Sequence, residues 1–339
     1  MKPVPDAPLD AMNTLRLPAR AEWLVQADTE PELAQLLAEP RFRDEPRTVL
    51  GEGSNLVLAD DLPGLVIRPR LRGIRVLDDD EHQVRVEIAA GEPWDAVVQH
   101  TLDQGWQGLE NLSLIPGWTG AAPYQNIGAY GVELADRLES VRVLRLADGA
   151  ALELSRAECR FGYRDSVFKS VCPGEYLITA VRVWLNKTPS LVLHYGPLRE
   201  LGALPATLDS ARRVRERVCA IRRERLPDPA ELPNAGSFFK NPVVGAAEHE
   251  RLKQDWPDLI SFPVDGGYKI AAGWLLETAG WKGQRWGELG MHEHQALVMV
   301  NYGRATGADV LALAERIRAD IRARFGVELE REPVVLPRR

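Results

Sequence analysis

Between Ile115 and Gly131 the chain reads Ile-Pro-Gly-Trp-Thr-Gly-Ala-Ala-Pro-Tyr-Gln-Asn-Ile-Gly-Ala-Tyr-Gly, too dense in glycine and alanine for an ordinary connecting loop. Without bulky side chains, backbone of this kind can come close to something large and flat, or to phosphate. A second such loop, Gly51-Glu-Gly53-Ser54-Asn55, opens directly after the β-like run Thr48-Val-Leu50. Taken alone it is an incomplete dinucleotide fingerprint without the third glycine, and it fits a plain strand-turn equally well. Two such loops in one chain can clamp a pyrophosphate from two sides with backbone N–H donors. Neither carries a Walker lysine.

Local patterns predict an α+β fold. Pro31-Glu-Leu-Ala-Gln-Leu-Leu-Ala has helical apolar spacing, Leu65-Val-Ile and Val84-Arg-Val-Glu-Ile read as strands, and Pro93 opens a helix where its missing N–H does no harm. Ser140-Val-Arg-Val-Leu-Arg-Leu-Ala-Asp148-Gly149 predicts a hairpin, because Asp-Gly favours the positive φ of a tight turn, and Thr179–Leu185 is a further strand. Composition changes at Asn186-Lys-Thr-Pro189-Ser and near Gly202-Ala-Leu-Pro205, before a basic helix from about Leu208 to Arg225, and the domain boundary is placed there. Further helices are expected from Glu248, Ala272 and Gly307, and a strand from Ala296 to Asn301.

The 339 residues allow two or three cores, and the net charge of −7 argues against a general nucleic-acid binder, which needs a positive field to displace counterions. Cys159, Cys172 and Cys219 are odd in number and form no CxxC pair, which suits a reducing cytoplasm. No apolar leader or spanning run is visible, so the expected protein is cytoplasmic and unattached to membrane. His292-Glu-His294 lacks the HExxH spacing and a third ligand, so it reads as a polar turn and no metal is expected. The run Arg212-Arg213-Val-Arg215-Glu-Arg217 reads as a solvated helix face.

Taken in order, Leu-Gly51-Glu-Gly-Ser-Asn55, Gly108-Leu-Glu-Asn-Leu-Ser-Leu-Ile-Pro-Gly117, Gln125-Asn126-Ile-Gly128-Ala-Tyr-Gly131, Tyr163-Arg164-Asp-Ser and Asn234-Ala-Gly-Ser237-Phe-Phe-Lys-Asn241-Pro resemble the UDP-N-acetylenolpyruvoylglucosamine reductases over nearly the whole chain. The resemblance implies a two-lobed FAD-binding fold of the vanillyl-alcohol oxidase or PCMH type over residues 17–188. A smaller α+β substrate-binding domain over 205–339 would follow, its last strand carrying Glu332. It further implies FAD cradled by Gly51, Gly53, Ser54 and Asn55 and by Gly117, Gly120, Ala121, Gln125, Asn126, Gly128, Ala129 and Gly131, with Ile178 near the flavin ring. No histidine or cysteine lies between Asn111 and Gly131, so FAD is expected to be non-covalent. NADPH is the implied reductant and UDP-N-acetylglucosamine enolpyruvate the implied substrate, the two taking turns at one site of a monomer. A same-fold oxidase and a catalytically silent nucleotide-sugar binder are the alternatives.

The residues also follow the chemistry. Hydride arriving at the methylene carbon of an enol ether conjugated to a carboxylate drives charge into that carboxylate. Arg164, a planar and permanently charged fork, suits that charge. Glu332 matches the family's acid, able to hydrogen-bond the same oxygens when protonated, and Ser237 would protonate the neighbouring carbon. In isolation these residues would read as an ion pair with Asp165, a terminal charge and a helix N-cap; the joint match reverses all three. Tyr163 and Asn241 match substrate-contacting positions, and Leu193-His-Tyr195-Gly-Pro matches the tyrosine loop of one branch, read as a mobile lid. Arg225 stands where the family commonly has lysine before Leu-Pro-Asp-Pro, and Pro333 restricts the backbone of Glu332.

Overall fold

A computed structural model describes every residue except 1, 189, 203, 206 and 339. It divides into two compact units: Met1–Ala7, Ala21–Glu52 and Leu62–Glu224 form the first, and Pro8–Arg20, Gly53–Asp61 and Arg225–Arg339 the second. Each unit mixes helices with sheets, as the α+β reading expected.

Two larger sheets shape the first unit. One is antiparallel, in the order Ala151–Ser155, Leu138–Arg145, Tyr176–Asn186, Gln83–Ala89, Ile74–Asp79. In Val84-Arg-Val-Glu-Ile, Val84, Val86 and Ile88 are fully buried on the core face, as period-2 alternation requires. The opposite face carries cross-strand charge pairs: Arg75 and Arg182, the partners of Glu87 in register on either side, each reach its carboxylate at 2.8 Å. The other sheet sets Leu62–Pro69 parallel to both Arg20–Ala27 and Arg47–Val49, with helix Glu30–Ala38 between the latter two in sequence. Thr29 begins that helix with a complete capping box with Glu32. The expected hairpin forms with Leu144 opposite Ala151, and Arg145 clasps Asp148 across its turn.

In helix Leu208–Arg225 the solvated-face reading of the basic run holds for exposed Arg212 and Arg213 but not for Arg215. Val214, Val218 and Ile221 are buried, and Arg215, beside them on the helix, is drawn in with them. Its guanidinium forks onto Asp95 at 2.7 and 3.0 Å, while Asp95 Oδ1 also accepts the Leu114 N–H at 2.6 Å. Burial alone would raise the Asp95 pKa, but the Arg215 and Leu114 hydrogen bonds, with the charges of Arg215 and Arg222, hold it below the usual carboxylate range. A carboxylate with a depressed folded pKa contributes stability above its unfolded pKa and loses it as pH falls through the folded one. Asp95→Asn is therefore expected to cost about 1–3 kcal/mol near neutrality, between surface and buried pairs. The gap from wild type should narrow in thermal melts as the pH is carried below the ordinary carboxylate range; a pH-independent gap would remove ionisation from the account.

In the second unit, Asn234–Ser237, Val298–Asn301, Leu289–Met291 and Arg285–Trp286 form an antiparallel sheet, and Val243–Val244, Gly267–Ile270 and Ser261–Val264 another. Val334–Leu336 runs parallel to Leu56–Leu58, a pairing across most of the chain length. Helix Gly307–Phe325 starts from a Thr306/Asp309 capping box, stops at left-handed Gly326, and buries Val310, Leu313, Ile317, Ile321 and Phe325. No helix of the described residues is long and apolar enough to cross a membrane.

Candidate active site

The dense loop of the first unit folds as successive single turns, Thr119–Ala121 and Pro123–Gln125, and then the two-strand hairpin Gly128–Ala129 with Val132–Glu133. Glycine is needed at 120 because a Cβ there would stand 2.7 Å from Ala90 Cβ, and the Gly120 N–H is used on Ala90 O at 2.8 Å. That contact seats the loop at the end of strand Gln83–Ala89, beside Thr179 of the neighbouring strand, whose carbonyl accepts from Ala90. Ala121 likewise uses its N–H on Trp118 O. Asn126, left-handed at φ 46 and 1 % exposed, donates to Glu133 Oε2 and Gly162 O and accepts from the Ala135 N–H, so its side chain is committed to the loop itself.

Arg68, which the sequence reading passed over, joins the two glycine-rich segments. It donates to Gly51 O at 3.2 Å and lies over the Trp118 ring at 4.9 Å. Burial, then the neighbouring Arg70 charge, pushes its pKa down, and its sealed Nε has no hydrogen-bond partner. A half-buried cation with an unused donor, beside Gly51 where a Cβ would meet nothing within 4 Å, fits a diphosphate. Small residues and nearly buried Ile178 and Ile127 suit a flat ring. The residues present therefore fit a flavin dinucleotide. Gly53, at φ +72, needs to be glycine because a Cβ would clash with Met12 O at 2.3 Å; with Ser54 and Asn55 it belongs to the second unit.

Tyr163 and Arg164 form the tip of a tight turn closed by paired Gly162 and Asp165. Arg164 sits at φ 55, a conformation that favours glycine or asparagine, and its Nη2 donates to Gly128 O at 2.9 Å. Ser166 Oγ ties the turn to Tyr124 O at 2.6 Å. Arg222, also missed, is half-buried in the same unit, with a sealed Nε that has no partner. Burial pushes its pKa down and the Arg164 charge acts the same way, against Tyr130, Cys219 and Asp95. Its signal was helical spacing, one face with Arg215 and seven residues on. Tyr195, 52 % exposed, sets its ring edge-on to Tyr130 at 6.3 Å.

In the second unit Ser237 ends a strand rather than capping a helix, with Gly236 before it at φ 71. The Glu332 N–H donates to Phe238 O at 2.9 Å and Arg331 bridges Phe239, so the segment bearing Glu332 lies alongside the serine segment. The two segments, 95 residues apart by number, thus run side by side, with Glu332 opposite Phe238. Asn241 Oδ1 accepts the Ala272 N–H at 2.9 Å, fixing the amide so that its nitrogen is the end available to a ligand. Arg225 is exposed at the end of its helix. His292 and His294 stand edge to face at 5.5 Å, and among the described residues no group of three or more His, Cys, Asp or Glu is arranged to hold a metal.

Residues 21–155 match the model of an FAD binding domain, and residues 228–336 that of the UDP-N-acetylenolpyruvoylglucosamine reductase C-terminal domain. The chain is 53% identical to the UDP-N-acetylenolpyruvoylglucosamine reductase of Pseudomonas aeruginosa over 96% of each chain. It is 51% identical to that of Alcanivorax borkumensis over 98% of this chain and 96% of that one. The crystal structure of the Thermus caldophilus enzyme superposes with a TM-score of 0.69 at 28% identity, covering 99% and 98% of the two chains. At such identity over nearly the full length of both chains, the chain belongs to the UDP-N-acetylenolpyruvoylglucosamine reductase family.

Proposed function

We infer that this protein reduces UDP-N-acetylglucosamine enolpyruvate to UDP-N-acetylmuramate for peptidoglycan synthesis, with FAD as cofactor and NADPH as reductant. Identity above half over nearly the full length of named reductases carries that conclusion. Held by Arg68 and the glycine-rich segments, FAD would supply the hydride-transfer chemistry that links NADPH oxidation to reduction of the enolpyruvyl ether at its methylene carbon. The remaining chemistry belongs to side chains. Arg164 pairs with the substrate carboxylate, and its charge becomes more valuable as the electron pair of the double bond moves onto those oxygens. Glu332, in its protonated form, hydrogen-bonds the same oxygens. Ser237 delivers its hydroxyl proton to the carbon bearing the ether oxygen, completing the lactyl ether.

Asn241, Arg225, Tyr163 and Tyr195 hold the nucleotide-sugar, Arg225 offering the diphosphate a planar fork where lysine would offer a point charge. FAD is held without a covalent bond, by Arg68 and the backbone of the two glycine-rich segments. NADPH and the UDP-sugar use one site in turn, in a cytoplasmic monomer. The test is anaerobic: one equivalent of NADPH should bleach the yellow protein, and UDP-N-acetylglucosamine enolpyruvate should then restore the oxidised spectrum. Bleaching without recovery would sink the substrate assignment and favour the oxidase; absence of flavin would favour a silent binder.

A further inference from the structure

Asn111 is 1 % exposed, and its side-chain nitrogen uses both of its hydrogens. One goes to Tyr130 O and the other to Val192 O, each at 2.9 Å. The first carbonyl belongs to the turn of the Gly128–Glu133 hairpin, where Tyr130 at φ 50 and Gly131 at φ +83 both occupy the left-handed region. A two-residue turn of that form favours Asn-Gly, so a tyrosine at its first position is strained and stays only because its surroundings fix it. The second carbonyl lies three residues before Tyr195. The two segments touch: a Cβ on Gly131 would stand 3.3 Å from Tyr195 Cβ and from Val192 Cγ1, and 3.4 Å from His194 Nε2.

We propose that Asn111 is a positioning residue for the nucleotide-sugar substrate, its amide clipping the Tyr195 segment to the strained turn of the glycine-rich loop. This rests on the reading of Tyr195 as a substrate contact. The segment is then presented already ordered, and substrate binding requires less loss of chain freedom. The mobile-lid expectation changes accordingly: the base of the loop is pinned at Val192 and Tyr195 is free to swing only beyond that pin. A carboxylate at position 111 has nearly the same shape but no hydrogen to donate, and it would face two carbonyl oxygens.

The experiment uses the FAD-loaded enzyme with Asn111→Asp, Tyr195→Ala and the double variant, and with Asn111→Ala where the aspartate variant does not fold. Hydrogen exchange across residues 190–198 and the KM for UDP-N-acetylglucosamine enolpyruvate are measured together. Asn111→Asp should deprotect that segment and raise KM roughly 10–100-fold, the scale of lost buried hydrogen bonds, with kcat changed far less. Added to Tyr195→Ala it should raise KM no further, because both act through one side chain. Unchanged exchange would overturn the clip. Additive KM effects, or deprotection without a rise in KM while Tyr195→Ala alone raises it, would overturn the positioning role but leave Tyr195 as a contact. An unchanged KM for Tyr195→Ala would instead bring down the reading of Tyr195, and with it the role assigned to Asn111.

Discussion

In Ser237→Ala, flavin reduction by NADPH proceeds at nearly the wild-type rate, while reoxidation by the enolpyruvyl sugar slows about 10²–10⁴-fold, the usual scale for a lost general acid. The split follows from where the proton is needed. Reduction by NADPH requires no proton at the substrate carbon, whereas the second half-reaction ends only when the carbanion-like centre is protonated. Ser237 is held for that task by backbone on two sides: its strand pairs with Val298, and Phe238 both donates to Leu297 O and accepts from Glu332 N–H. Removing the hydroxyl leaves those contacts intact, so the loss reads chemistry rather than folding. Rapid-mixing absorbance under anaerobic conditions separates the halves, and an unchanged reoxidation rate would take Ser237 out of the mechanism.

Arg164→Met is expected to remove at least about 3 kcal/mol of transition-state stabilisation from the same half-reaction, more than 100-fold in rate, as when a donor to developing negative charge is lost. Arg164→Lys should recover only part of it, because an ammonium cannot pair with both carboxylate oxygens in one plane. Arginine at φ 55 also anchors its own turn through Gly128 O, so FAD content is the control. A defect confined to NADPH oxidation, with substrate reduction untouched, would make Arg164 a cofactor contact.

Local rules made the elements legible. Pro93 before Trp94 and Asp148-Gly149 each begin or turn an element where the local chemistry places it. The chemical residues were legible only through their joint order, since Ser237 alone looks like a cap and lies in a strand. What stayed hidden depends on which face of an element is covered. Helical spacing puts Arg215 and Arg222 on one side but does not say that Asp95 waits there, and a lone arginine in Leu65-Val-Ile-Arg68 does not announce that two loops meet on it. Asn111 stands inside the Gly108–Gly117 motif, yet its two carbonyl partners lie 19 and 81 residues away, beyond any local pattern.

The pairing of Val334–Leu336 with Leu56–Leu58 sets an order of events during synthesis. Residues 8–20 and 53–61 leave the ribosome early but belong to a unit whose remainder starts at Arg225. They can bond to each other, as Thr14 does to Gly53, but Leu56–Leu58 must wait for its strand partner through the translation of more than half the chain, while Leu62–Glu224 can already be collapsing. At a typical bacterial pace of about 5–20 residues per second that is a delay of roughly ten seconds or more, during which Leu56-Val-Leu is an open strand edge. For the same reason a fragment cut at Arg225 would not be a free-standing domain: it would expose Val334-Val-Leu as an edge without its neighbour, and supplying residues 8–61 in trans is what its solubility would depend on.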